Sequence, residues 1–159
     1  MHRDLKPDNI LIKREDGAVK VCDYGLADKD TPVGDGEGKN SETAGLVGTL
    51  PYISPEQYDG GAATTASDVW SLGVIAYQLV ERKLPFSVDL TTSLVYKNAI
   101  MNNEPDLVET GVPQPLMNLT MMMLQKNIAD RMTLPEILES ELIRKCNGKN
   151  HELRDILIR

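Results

Sequence analysis

The spacing of apolar residues divides the chain into a β-prone start, a polar stretch and a helical remainder. Ile10-Leu11-Ile12 and Val19-Lys20-Val21-Cys22 are short β-prone runs joined by Lys13-Arg14-Glu15-Asp16-Gly17. The Asp16-Gly17 pair is a hairpin-turn signal, so the two runs are expected to form a two-stranded ribbon. From Asp28 to Gly45 the apolar pattern lapses, and Gly34, Gly36, Gly38 and Gly45 mix with charges and with Thr31, Ser41 and Thr43, as in a loop. Helical spacing begins at Val69, Leu72, Ala76, Leu79 and Val80, with Ser67 or Asp68 as the expected N-cap. Trp70, Val74, Ile75 and Tyr77 fill the other faces, which predicts a buried central helix.

Leu94 to Met101 and Leu116 to Leu124 read as two more helices, separated by a segment containing the turn formers Pro105, Gly111, Pro113 and Pro115. Met117, Met121, Met122 and Met123 are expected to be core filler. Thr133-Leu134-Pro135-Glu136 has capping-box spacing, and Met132 can staple onto Ile137. The helix that starts there is expected to stop at Asn147-Gly148, where the left-handed conformation is cheap. The fold class is therefore mainly α with a short β-ribbon.

Composition narrows the function classes. Leu, Ile, Val and Phe make up about a quarter of the 159 residues, enough to build a core. A net charge of −7 argues against broad attraction to nucleic acid or anionic lipid, so neither nucleic acid nor membrane is expected as a partner. The most apolar stretch, Val69 to Val80, lies between Asp68 and Glu81 and is shorter than the roughly 20 residues that span a bilayer. Cys22 and Cys146 lie far apart without metal or redox spacing, which suits a reducing cytoplasmic or nuclear setting.

Candidate chemistry is concentrated at the start. His2-Arg3-Asp4-Leu5-Lys6-Pro7-Asp8-Asn9 resembles the catalytic loop of eukaryotic protein kinases. Phosphoryl transfer asks chiefly for positioning and charge neutralisation: one carboxylate meets the attacking hydroxyl, and an oxygen ligand five residues on holds a hard Mg²⁺ ion. Asp4 and Asn9 fit those two tasks, and Lys6 resembles the serine/threonine-kinase form, in which an ammonium contacts the transferred phosphate. Asp23-Tyr24-Gly25 resembles the family's Asp-Phe-Gly motif, with Asp23 as the expected ligand of the nucleotide-bridging Mg²⁺. Gly48-Thr49-Leu50-Pro51-Tyr52-Ile53-Ser54-Pro55-Glu56 is similar to the end of an activation segment, with Ser-Pro-Glu in place of Ala-Pro-Glu. The resemblance implies that Thr49 touches Asp4 and Lys6, that Glu56 pairs with Arg131, and that Asp68, in Asp68-Val69-Trp70-Ser71-Leu72-Gly73, accepts backbone N–H bonds from the loop carrying His2.

Arg3 marks the subclass whose loop is commonly organised by a phosphate on the activation segment, with Ser41 and Thr43 as candidates and Thr31 a weaker one. Asp28, Asp30, Asp35, Glu37 and Glu42 work against phosphate capture there. The Gly34-x-Gly36-x-Gly38-Lys39 run lacks P-loop spacing and carries two carboxylates that repel phosphate.

Four motifs in order imply a kinase-like C-lobe over residues 1–145, followed by a short tail, 146–159. The implied activity is transfer of the ATP γ-phosphate to a protein Ser or Thr hydroxyl, with ATP and Mg²⁺ as cofactors and a protein substrate. The family also needs a Gly-rich loop, a strand Lys and its helix Glu partner. These 159 residues hold no place for them or for the helix before the catalytic loop, as expected of an internal start or an incomplete gene model. The expectation is a lobe that is inactive and weakly stable by itself, its exposed core covered by the missing N-lobe or a partner. The alternative is a non-catalytic kinase-like interaction module.

Overall fold

The computed structural model describes residues 1–28, 48–86, 88, 92–106 and 111–147. Strands β1 (Ile10–Ile12) and β2 (Val19–Val21) form the expected antiparallel ribbon, with Ile10 opposite Val21 and Ile12 opposite Val19. The Lys13 N–H donates to the Ala18 carbonyl at 2.8 Å to close the turn. Gly17 takes φ 70° there, a conformation open to a residue without Cβ. A Cys22 N–H bond to the Asn9 carbonyl, 2.9 Å, ties the far end of the ribbon back to the segment that precedes it.

Among the described residues six helices follow: α1 (Pro55–Tyr58), α2 (Thr65–Glu81), α3 (Ser93–Asn102), α4 (Gln114–Met123), α5 (Leu134–Glu139) and α6 (Glu141–Asn147). Helix α2 starts before the expected Ser67 or Asp68 cap. Thr64 and Ser67 form a reciprocal capping box, the Ser67 hydroxyl accepting from the Thr64 N–H at 3.1 Å. Asp68 is thereby released from capping its own helix and can serve another segment.

Helix α2 is shared by two apolar clusters. Trp70, Val74 and Tyr77 join Ile53, Tyr58, Phe86, Tyr96, Ile100 and Leu124, with Trp70 stacked on Phe86 at 6.0 Å between ring centroids. Val69 joins Leu119, Met123 and Ile137, and Leu142 and Ile143 of α6 pack against them. The expectation that α2 is buried all round fails on one face: Leu79 is 69% exposed and Leu72 and Ala76 are half-buried. Met117 and Met123 are core residues as expected, whereas Met122 points outward and is exposed.

The Thr133–Glu136 capping box forms as expected, and Met132 and Ile137 share one cluster. The single helix expected from Thr133 to Asn147 is instead two. Ser140 leaves the helical region at ψ 144°, and its hydroxyl donates to the Ile137 carbonyl at 2.7 Å. A serine side chain competing for backbone groups is a known helix breaker, and the kink turns α6 onto the second cluster.

Gly73 of α2 faces the C-terminal end of α4 at close range. A Cβ built there would lie 2.9 Å from the Met123 Cβ and 3.1 Å from the Leu124 side chain. Gly73→Ala gains about 1 kcal/mol of helix propensity but overpacks a core contact at about 1–3 kcal/mol. A net loss of stability of roughly 1 kcal/mol is expected in urea denaturation, and a stabilised Gly73→Ala variant would refute this close packing.

Candidate active site

The loop carrying Asp4 is suspended from α2. The Asp68 carboxylate accepts the His2 N–H at 2.7 Å on one oxygen and the Arg3 N–H at 2.9 Å on the other. These two charge-assisted bonds hold Arg3 at φ 70°, a left-handed conformation that costs a non-glycine residue about 1–2 kcal/mol. The Asp4 N–H donates to His2 Nδ1 at 3.3 Å, so the imidazole proton sits on Nε2 and is donated to the Cys22 carbonyl at 2.9 Å. The buried His2 ring thus connects the loop to the residue before Asp23. Pro7 then opens a single 3₁₀ turn, Pro7–Asn9, that brings Asn9 back beside Asp4.

Asp4, Lys6, Asn9 and Thr49 meet in one polar cluster. Lys6 Nζ lies 2.8 Å from Asp4 Oδ2 and donates to Thr49 Oγ1 at 2.9 Å. The Thr49 hydroxyl donates in turn to Asp4 Oδ1 at 2.8 Å. Asn9 Nδ2 donates to the Asp4 carbonyl at 2.8 Å and, more weakly, to Oδ2 at 3.4 Å. Burial works against the charge on Asp4, but the bonds from Lys6 and Thr49, the Lys6 charge and the Asn9 bond outweigh it and hold the carboxyl below its ordinary pKa. Lys6 is shifted upward, first by its bond to Asp4 and then by the charges of Asp4, Asp8 and Asp23.

Thr49 reaches Asp4 from 45 residues away because the turn after it is pinned on several sides. Leu50–Tyr52 forms a 3₁₀ turn with Pro51 near its start. The Tyr58 hydroxyl donates to the Leu50 carbonyl (2.9 Å), the Tyr96 hydroxyl to the Pro51 carbonyl (3.1 Å) and the Ser71 hydroxyl to the Tyr52 carbonyl (2.7 Å). Tyr52 itself donates to Gln78 Oε1 at 2.8 Å. Burial pushes the Tyr58 phenol up to about 12 and Tyr96 higher still, so both remain protonated donors. Tyr58, Ser71 and Tyr96 were not legible as site residues, because their partners are carbonyls distant in the chain. Gly48 belongs to the same support, since at φ 118° a Cβ would press on the Arg3 carbonyl at 3.1 Å.

The family model of the protein kinase domain matches residues 1–143. The chain belongs to the protein kinase family. It is 32% identical over 158 residues to serine/threonine-protein kinase PknB of Mycobacterium tuberculosis, covering 99% of this chain and 25% of that protein. It is 35% identical over 127 residues to serine/threonine-protein kinase PknA of Corynebacterium glutamicum, covering 80% of this chain and 25% of that protein. A probable serine/threonine-protein kinase PknB of Lactococcus lactis is 34% identical over 139 residues, 84% of this chain and 20% of that protein. The chain thus spans about a quarter of the length of these relatives, each of which is named a serine/threonine-protein kinase.

Kinases as a family require ATP and Mg²⁺. The donor set here suits a hard cation. Asn9 spends its Nδ2 on Asp4, which leaves its Oδ1 without a protein partner among the described residues. Asp23 is exposed, sits at φ 60°, and among the described residues takes only a long 3.4 Å bond from the Gly25 N–H. No group of three His, Cys, Asp or Glu converges among the described residues. Two protein oxygens completed by phosphate and water is the manner in which Mg²⁺, rather than Zn²⁺ or a caged Ca²⁺, is held. The Tyr24 ring lies tilted against His2 with 5.0 Å between centroids, and the residue is 61% exposed.

The remaining expected residues divide. Glu56 and Arg131 form a two-pronged pair, Nη1 to Oε1 at 2.9 Å and Nη2 to Oε2 at 2.8 Å, with Arg131 also donating to three backbone carbonyls and lying over Trp70. Arg3 pairs with Asp28. Ser41, Thr43 and the weaker candidate Thr31 lie outside the described residues. Burial raises the Glu56 carboxyl, but the Arg131 bonds and charge prevail and its pKa lies below the ordinary value. Such a depressed group contributes stability above its unfolded pKa, about 4.3, and loses it as pH falls through the folded value. Glu56→Gln is therefore expected to cost about 3 kcal/mol at neutral pH, where it leaves the Arg131 charge buried and unanswered. The same variant should flatten the acid limb of the stability profile; an acid limb as steep as wild type would show that Glu56 is not its source.

Proposed function

We propose that this chain forms the part of a serine/threonine protein kinase that binds the protein substrate and the metal, transferring the γ-phosphate of ATP to a Ser or Thr hydroxyl. The Asp4–Lys6–Thr49 cluster is the observation that carries this reading, because it places a carboxylate, a cation and a hydroxyl within 2.9 Å of one another on the segments that the family uses for transfer. Asp4 accepts the hydrogen bond of the incoming hydroxyl and aims its oxygen at phosphorus. A carboxylate held below its ordinary pKa is a poor base for a free alcohol, so Asp4 orients the nucleophile first. The proton passes to Asp4 late, once the forming O–P bond has made that oxygen acidic.

Lys6 balances Asp4 and presents its charge to the moving phosphoryl group. Thr49 fixes the Asp4 rotamer and links it to the Leu50–Tyr52 turn, on which the substrate backbone rests. Asn9 and Asp23 would hold Mg²⁺, which when bound neutralises the nucleotide phosphates. The exposed Ile12 and Val19, paired across the ribbon, give an apolar face to the nucleotide-binding lobe that the family requires. The intact polar cluster supports catalysis over a purely structural interaction module.

Mn²⁺, as a paramagnetic stand-in for Mg²⁺, should broaden the amide resonances of Asn9 and Asp23 in the 159-residue chain, and Asp23→Asn should abolish the broadening. Unselective broadening over the acidic surface would contradict the metal assignment. The chain alone should show no measurable transfer to a protein substrate. Joined to a protein-kinase nucleotide-binding lobe it should transfer phosphate, and Asp4→Asn should lower that rate by roughly 10²–10⁴-fold. Transfer that survives Asp4→Asn would end the proposal.

A further inference from the structure

We propose that Asp28 occupies the anion site on the Arg3 guanidinium, so that the catalytic loop is ordered by an internal carboxylate and does not wait for a phosphorylated side chain. Arg3 immediately precedes Asp4 and is held at the loop by the Asp68 carboxylate through its backbone N–H. Its side chain is three-quarters buried and pairs with Asp28, five residues after Asp23. The Asp28 N–H also donates to the Met1 carbonyl at 3.2 Å, and the Met1 nitrogen to the Asp28 carbonyl at 3.1 Å. Asp28 is therefore placed by its backbone as well as by its charge, and it faces Arg3 in a fixed register.

A guanidinium beside the catalytic carboxylate is suited to a dianionic phosphate, which it grips with two N–H groups. Here one prong meets Asp28, while Arg3 Nε is buried without a hydrogen-bond partner among the described residues. A phosphate arriving on a side chain such as Ser41 or Thr43 would have to approach a cation already neutralised and share it with a carboxylate. Like charges that close repel. The pairing also links the two segments that carry Asp4 and Asp23, which places the carboxylate where an activating phosphate would do the same ordering. Its consequence for catalysis rests on the kinase reading; the occupancy of Arg3 does not.

The test follows the Arg3 Nε–Hε resonance of the ¹⁵N-labelled, unphosphorylated 159-residue chain while inorganic phosphate is added. In wild type the resonance should stay still, because the site is filled. In Asp28→Asn it should move saturably with phosphate, and in Asp28→Glu, which keeps the charge, it should again stay still. Asp28→Ala repeats the neutral arm without an amide that could itself bond Arg3. A wild-type resonance that titrates as in Asp28→Asn would overturn the proposal. So would neutral variants in which Arg3 remains unresponsive to phosphate, since removing Asp28 would then have opened no site. None of these readouts involves transfer, so a failure of Asp4 or of metal binding would be seen separately.

Discussion

The two hydrogen bonds from the His2 and Arg3 amides to Asp68 are the constraint on which the site depends. Loops do not hold a carboxylate in one place unless something rigid does it for them. Asp68 stands in the first turns of α2, the helix whose Val69, Trp70, Val74 and Tyr77 are buried in both apolar clusters. Its position is thus set by the core, and the loop inherits that position through two short, charge-assisted bonds. The left-handed backbone of Arg3 is tolerated because the bonds that require it are worth more than its cost.

A second chain of support meets the first at Asp4. The turn at Leu50–Tyr52 hangs from Tyr58, Ser71 and Tyr96 by hydroxyl-to-carbonyl bonds. Each donor is rooted in α1, α2 or α3, so Thr49 approaches Asp4 from a surface as rigid as the one that holds the loop. Glu56 and Arg131 fasten the start of α1 to the segment before α5, with Ser67 adding a bond from α2 to Glu56 at 2.8 Å. A buried ion pair of this kind gives little net stability over an apolar substitute, but it admits one alignment of the segments it joins.

Much of this could be read in the sequence, and the limit is physical. Motifs of fixed local spacing were legible: the catalytic loop, the Asp-Tyr-Gly turn, the Ser-Pro-Glu end and the Thr133 capping box all depend on residues a few positions apart. The ribbon followed from two β-prone runs and a glycine turn. Pairings such as Thr49 with Asp4 and Glu56 with Arg131 were reachable only through resemblance to a family, because no periodicity links residues 45 or 75 apart. Three features escaped both routes. Thr64 was hidden as a cap because Ser67 and Asp68 are better-ranked capping residues, although Asp68 is engaged by the loop, as the family resemblance implied. Ser140 reads as a tolerable helix residue until its hydroxyl takes a backbone carbonyl. Tyr58 and Tyr96 lie in none of the motifs, yet their hydroxyls position the segment next to the site.

The electrostatics of the cluster bear on the timing of the chemistry. An acidic chain carrying a net charge of −7 is a poor setting for polyphosphate, and Asp4, Asp8 and Asp23 all lie on the segments around the site. Lys6 resolves part of this conflict locally, since its ammonium neutralises Asp4 at 2.8 Å while its own affinity for the proton rises. A metal at Asn9 and Asp23 would resolve the rest. The same ammonium that makes phosphate tolerable also stabilises the ionised Asp4 and weakens it as a base. On the proposed reading, base strength and phosphate tolerance are coupled through one side chain, and a site built this way would gain rate from alignment of the hydroxyl and the phosphoryl group. The weight that the fold places on rigid support for Asp4 and Thr49, through Asp68 on one side and the tyrosine hydroxyls on the other, is what such a division of labour requires.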